Sequence, residues 1–519
     1  MKTFSVRDKM CRGVLVTAAI GAVSFLSGAA VAQSPDPVIF SFSTVGDSRT
    51  DPASPDQTTL LANPNPTTQG GVPSLTGTIL PQDNMWVTNS EAFQAIISGV
   101  KSQNPNLLFF NGDMIYGYGR PTLPSAWANG LPNSWTTAET VSPDTIFEYI
   151  QYAYWRGMIA NLFLNGTYVI PVPGNHETQC STSGEPYSLQ TPVQVNPNCF
   201  IKHSGTGYGN GTGKNAYADN ENMFRFNMGD LTSDLVTNIR FSNITGYFAT
   251  NVSGLGMNEE PAAPTASTNN GNITSSQTGL TFSFDIQVNS SILLHFVVIN
   301  TDPAGADDTA PSDWIVSDFA AAKARGVTNI FVFGHKPAFT YNYAAITGGS
   351  VAQGATNPGP GGLDSGAYDV LGSAALASRN LFWSTIAQYN ATYFSGHEHT
   401  VNVAQYADPL GVYSTTPYQV IVGSGGSPFD DKLVGTCSSV NPPGCVEPQL
   451  TNPYDRYYAW ATIQVHQSGN VSLQVNGFSD QFAPTQDLTI YDVASLQSAG
   501  AAQSPAAKKT ETVHHKAGT

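Results

Sequence analysis

The sequence predicts a layered α/β core carrying long loop insertions. Three observations predict it. Short apolar runs alternate with longer stretches of helical spacing. Hairpin-like pairs of runs add antiparallel strands. Long segments rich in Gly, Pro and Asn separate these elements.

Val38 to Thr44 is strand-like. Thr88 to Gln103 has helical spacing, with Phe93, Ile96, Ile97 and Val100 on one face. Asn106 to Phe110 is a second buried strand. Asp144 to Leu164 is an aromatic-rich helix, with Ser142 or Asp144 as its cap, and Tyr168 to Val172 is a third strand. Thr281 to Val288 and Ile292 to Asn300 form a hairpin pair. Ser312 to Arg325 is helical, Ile330 to Phe333 is a strand, and a helix covers Ala374 to Tyr389. Thr392 to Phe394, Tyr418 to Val422, Ala459 to Val465 and Val471 to Val475 are further strands. The segments 51–84, 118–143, 178–220, 250–279 and 341–372 are read as insertions around a site; ornament on the surface is the plainer reading of each.

The chain has 519 residues, and its first 32 are set apart from the fold. Lys2, Arg7, Lys9 and Arg12 precede an apolar run from Val14 to about Ala30, and Ala30-Val31-Ala32 offers the small residues of a cleavage site. This reads as an export signal, giving a secreted or periplasmic protein. The alternative is a membrane anchor, but the run is short and broken by Gly21 and Gly28. No later segment is long and apolar enough to span a bilayer. Residues 33–494 are expected to form one domain with insertions, and 495–519 a disordered tail.

The formal net charge is -16, and removing residues 1–32, which carry four basic side chains and one acid, makes it more negative still. Such a chain has no electrostatic footprint for nucleic acid. An anionic small molecule is still allowed, because bound metal ions reverse the sign of a site locally. Five cysteines occur. Cys11 leaves with the signal, and the remaining four fall into local pairs, Cys180 with Cys199 and Cys437 with Cys445. In an exported chain these read as two disulfides. A four-thiolate zinc site is the rival reading, but no C-x2-C spacing is present.

Five short motifs each follow a strand. They are Val45-Gly46-Asp47, Asn111-Gly112-Asp113-Met114-Ile115-Tyr116, Pro173-Gly174-Asn175-His176-Glu177, Gly334-His335-Lys336-Pro337 and Ser395-Gly396-His397-Glu398-His399. Ligands of α/β sheets collect beyond the carboxyl ends of the strands, so five polar tips can meet at one point. Two Asp, one Asn, three His and one Tyr make a mixed O/N ligand set that suits Zn, Fe or Mn. Two such ions, about 4 Å apart, need a shared anionic ligand, and a carboxylate can bridge them.

In this order the motifs G-D, G-D-x-x-Y, G-N-H-E, H-x-P and G-H-x-H resemble the signature of calcineurin-like metallophosphoesterases. Tyr116 points to the purple acid phosphatase branch. The resemblance runs from about Val38 to Gly426. It implies a β-sandwich core flanked by helices, and hydrolysis of a phosphorylated small molecule at a dinuclear metal centre. Asp47 and His399 would bind the first ion, with Tyr116 added. Asp113 would bridge, and Asn175, His335 and His397 would bind the second. His176 would contact the phosphoryl group or protonate the leaving oxygen. The ions would supply a hydroxide nucleophile at mild pH and clamp the phosphoryl oxygens. Gly423-Ser424-Gly425-Gly426 also matches a segment of these enzymes and is read as structural.

Plainer readings stand beside these. Asp47 and Asp113 could cap their turns, Tyr116 could be a packed aromatic, and His176 could orient Asn175. Glu177 is read as a support, His295 as a satisfied core histidine, and Gly229-Asp230 as surface. Where the family carries D-x-H or D-x-G, this chain reads Asp47-Ser48-Arg49. Arg49 could grip a substrate phosphate with its planar fork, or crowd the first metal. The leading expectation is a phosphomonoesterase. A phosphodiesterase or nucleotide hydrolase is the close alternative, and a secreted binding protein with a non-catalytic site the distant one.

Overall fold

The computed structural model describes residues 36–49, 85–115, 143–178, 214–232, 235, 249–254, 277–302, 310–339, 373–427, 444–450, 457–479 and 488–497. The chain separates into Met1–Asp36 and Pro37–Thr519, and the architecture below is that of the second unit. Tyr116, Cys180, Cys199 and Cys437, singled out above, lie outside the described residues.

Two mixed sheets make the frame. In the first, β1 (Val38–Val45), β2 (Leu107–Asn111) and β3 (Tyr168–Val172) run parallel, and β1 also pairs antiparallel with β11 (Tyr457–His466). β12 (Val471–Ser479) and β13 (Leu488–Gln497) extend that side. The second sheet has the order β4-β5-β6-β7-β8-β10-β9, from β4 (Ala249–Gly254) and β5 (Phe282–Asn289) through β6 (Ile292–Val298), β7 (Asn329–Phe333) and β8 (Thr392–Ser395) to β10 (Tyr418–Val422) and β9 (Val401–Gln405). Its central strands β6, β7, β8 and β10 are parallel.

Alternation along the strands explains the sandwich. Phe40 and Phe42 of β1 and Leu107 and Phe109 of β2 share one buried cluster with Phe296, Phe331, Phe333 and Phe394 of the second sheet. The Phe109 and Phe333 rings stack at 3.7 Å, and Phe42 meets Phe331 edge-on at 4.8 Å. The intervening residues face outward onto helices. Leu108 and Phe110 pack against α1 (Met85–Gln103) and α2 (Pro143–Leu164), and Val297, Val332 and Tyr393 against α5 (Ser312–Ala324) and α6 (Ser373–Tyr389). The expected face of α1, Phe93, Ile96, Ile97 and Val100, is buried in the first of these layers. Asn104 and Asn390, just past α1 and α6, take positive φ values, the usual left-handed stop after a helix. The layers run helix, sheet, sheet, helix.

Four elements differ from the sequence reading. β9 forms where no strand was read, β4 takes up the start of the segment read as an insertion over 250–279, and α4 (Lys214–Thr232) replaces the end of the loop read over 178–220. β13 runs through Gln497, with Leu496 and Gln497 buried, so the ordered chain passes the boundary expected at 494. Pairing along β12 supplies hydrogen bonds that short-range patterns do not reveal. No helix of the described residues is long and apolar enough to cross a membrane.

Candidate metal centre

The strands that carry the motifs end at one rim of the sandwich. Asp47 follows β1, Asp113 follows β2, and α3 (Asn175–Thr178) begins just beyond β3. His335 follows β7, while His397 and His399 follow β8. Backbone bonds lock the tips together. Asp47 N–H donates to Gly112 O at 3.0 Å, and Gly396 N–H to His335 O at 2.9 Å. Across the sheets, His397 N–H donates to Asp47 Oδ2 at 2.8 Å.

Two glycines permit this closeness. Gly112 has a φ of 80°, and a Cβ there would lie 2.5 Å from His335 Nδ1. A Cβ on Gly174 would lie 2.5 Å from Asp113 N and 2.6 Å from Asp113 Oδ1. The tips themselves are strained. Asp47, Asp113 and His397 have φ values of 63°, 53° and 69°. The left-handed region costs a non-glycine residue about 1–2 kcal/mol, and such strain persists only where its surroundings enforce it.

The side chains form two clusters. Asp113, His335 and His397 make one, and Asp47, Asp113 and His399 the other; within each, the candidate ligand atoms lie within 4.8 Å of one another. Asp113 belongs to both. In the first cluster, His335 Nδ1–H donates to Asn111 O at 2.8 Å, which leaves the lone pair of the neutral ring on Nε2. That Nε2 lies 2.7 Å from Asn175 Oδ1 and 3.2 Å from Asp113 Oδ1. His397 Nδ1 is 3.1 Å from Asn175 Oδ1 and 3.0 Å from His335 Nε2. In that tautomer the His335 lone pair faces the oxygens of Asn175 and Asp113, an arrangement a cation stabilises. Burial above all holds the His397 imidazole well below its ordinary pKa. It is therefore neutral near pH 7 and has a lone pair to donate. In the second cluster, His399 Nε2 is 3.6 Å from Asp47 Oδ1. The donor set, carboxylate, amide oxygen and imidazole without thiolate, fits Zn, Fe or Mn.

His176 and Arg49 complete the rim. His176 Nε2 is 3.5 Å from Asp113 Oδ2, and its backbone N–H donates to Asp113 Oδ1 at 3.2 Å. The Arg49 guanidinium contacts the His176 ring, approaches His399 Nε2 to 3.3 Å, and lies 4.0 Å from Asp113 Oδ2.

Glu177 does more than its position in the motif suggests. Its buried carboxylate accepts four backbone N–H groups, from Gly174 and Asp113 at Oε2 and from Met114 and Ile115 at Oε1. A sequence signal exists only in hindsight: an acid one turn past a glycine at a strand end can reach back to its own loop. Lys336 is a cation beside His335, yet it pairs with buried Asp302 at 2.6 Å. His295 is buried between Asp285 at 2.6 Å and Asp318 at 2.8 Å, the satisfied core histidine expected. Gly229-Asp230 closes α4, with Asp230 exposed and bonded to Arg156. The 423–426 segment hydrogen-bonds the first tip, through Gly425 N–H to Gly46 O at 3.0 Å.

No family model matches the chain, and no curated protein matches it. Among solved structures it is similar to the purple acid phosphatase PPD1 from yellow lupin (Lupinus luteus) seeds. Identity is 11%, the match covers 88% of this chain and 53% of that one, and the TM-score is 0.39. The chain thus spans about half the length of the lupin enzyme. It is also similar to a dimetal phosphatase from Danio rerio, at 8% identity over 88% of this chain and 100% of that one, with a TM-score of 0.38. At TM-scores this low neither likeness bears on the chemistry, which rests on the residues.

Proposed function

We propose that this protein is an exported phosphoester hydrolase that uses two metal ions and acts on phosphomonoesters. The observation that carries the reading is the sharing of Asp113 between two acid–imidazole clusters. In this reading Asp47 and His399 would hold the first ion, with Tyr116 as a further ligand. Asp113 would serve both ions, and Asn175, His335 and His397 would hold the second. The ions supply the acidity that makes water a nucleophile near neutral pH and draw charge from the phosphoryl oxygens.

The chain's own groups do the rest. His335 is held in its ligating tautomer by Asn111 O. Arg49 presents a planar fork to the phosphoryl oxygens. His176 Nε2, on the Asp113 side of the rim, carries a proton to the leaving oxygen as the ester bond breaks. The export signal, and disulfides joining Cys180 to Cys199 and Cys437 to Cys445, belong to the same reading of an extracytoplasmic enzyme.

The test is hydrolysis of p-nitrophenyl phosphate and bis-p-nitrophenyl phosphate by the chain lacking residues 1–32, before and after chelation. Monoester turnover that chelation abolishes and Zn, Fe or Mn restores is the expected result. Preference for the diester would move the assignment to a phosphodiesterase. Turnover of neither ester, with no metal bound, would overturn it in favour of a binding protein.

A further inference from the structure

Arg49 stands where a cation of the first cluster would be felt most. It follows Asp47 by two residues and turns back into the rim, its side chain only 23% exposed. One guanidinium nitrogen, Nη2, lies 3.3 Å from His399 Nε2. The other, Nη1, contacts the His176 ring and lies 4.0 Å from Asp113 Oδ2. These neighbours are members of, or adjoin, the cluster of Asp47, Asp113 and His399. In the other cluster Asn175, His335 and His397 meet one another directly.

A guanidinium carries a permanent positive charge and only donors, so it satisfies lone pairs as a metal ion does, without coordinating them. It also repels an ion placed beside it.

We propose that Arg49 is a built-in stand-in for the first ion. It holds Asp113, His399 and His176 in the absence of that ion, makes the first site the weaker of the two, and leaves it for the phosphoryl oxygens when phosphate binds. The two sites therefore load in order, with the Asn175–His335–His397 site first. Phosphate and the first ion assist one another, because phosphate draws the guanidinium away. By linkage, the ion strengthens phosphate by the same factor. This inference rests on the two-ion reading above.

The test is a calorimetric titration of the metal-stripped protein with Mn(II), with and without inorganic phosphate. The unmodified protein should show two affinities at least about tenfold apart, the weaker one strengthened several-fold by phosphate. In Arg49→Ala the two affinities should approach one another, and phosphate should strengthen the weaker one less than it does in the unmodified protein. Arg49→Met, which keeps the apolar stem, should behave as Arg49→Ala and separates charge from packing. Two ions bound with affinities and phosphate response unchanged in both variants would overturn the role of Arg49 and leave the two-ion reading intact. A single ion bound by the unmodified protein at saturating Mn(II) would overturn both.

Discussion

The Glu177 carboxylate grips Asp113 by its backbone, accepting the Asp113 N–H at 2.9 Å, while the Asp113 side chain faces both acid–imidazole clusters. One buried acid thereby fixes the left-handed backbone of the residue through which the clusters are joined. Where Glu177 is ionised, Glu177→Gln replaces one accepting oxygen with a donor that faces N–H groups. The expected outcome is a loss of stability of about 1–3 kcal/mol and, in the folded protein, a fall in metal content below that of the unmodified chain. Thermal melts and elemental analysis check the two separately. A variant that melts lower with full metal content would make Glu177 a packing residue only.

Burial, and then the charge of Asp113, push the Glu177 carboxyl up from 4.5 to about 8, against the pull of its backbone donors. An acid raised on folding makes ionisation costly, so stability is lost as pH rises from the lower value to the upper one. The metal-free protein should melt at progressively lower temperature across that window. Bound ions, which neutralise Asp113, should flatten the slope. Melting curves with and without chelator between pH 4.5 and 8 decide it, and parallel slopes would count against the coupling.

The shared carboxylate separates two kinds of loss. Asp113→Ala should lose both ions, whereas His399→Ala should lose one and retain the other at the Asn175 side. Activity should fall by about 10³ or more in each, since neither keeps a paired centre. Elemental analysis after gel filtration reads the stoichiometry. Equal metal content in the two variants would contradict the bridge.

His295 offers a test away from the motifs. Burial disfavours its charge, but the hydrogen bonds and charges of Asp285 and Asp318 outweigh this and raise its pKa. Stability from this network is full below the ordinary histidine pKa and is lost as pH rises through the raised one. Asp285 also takes a two-pronged bond from Arg325. Asp285→Asn should cost about 3–5 kcal/mol, as breaking a buried ion pair does, with metal content unchanged in the folded fraction. Chemical denaturation measures it.

The strands bearing the motifs were legible because β-branched and aromatic runs stop at Gly, Asn or Pro. Tyr168–Val172 and Tyr418–Val422 have the bounds read from sequence. Asp47, Asp113, Asn175, His335 and His397 stood out for the same reason, since each follows a glycine at a strand end. β9 was not, because Val401–Gln405 is short and interrupted by Asn402. β13 was not, because Asp492, Ala494 and Ser495 dilute its apolar alternation and its partner β12 decides it. α4 is rich in Asn and polar residues, and its helicity was masked by a loop-like composition. Backbone strain at Asp47, Asp113 and His397, and the inward turn of Arg49, depend on contacts between residues tens to hundreds of positions apart. Spacing within one motif carries no trace of them.

The tips of the rim are drawn from both sheets, and β1, which carries Asp47, is flanked by β11 near the far end of the chain. During synthesis Asp47 emerges early, but its partner His399 and the flanking strand β11 emerge only after most of the chain. The cluster can therefore be assembled only once most of the chain has been made. Whatever ions the protein carries are chosen where the last strands close, from the metals present in that compartment.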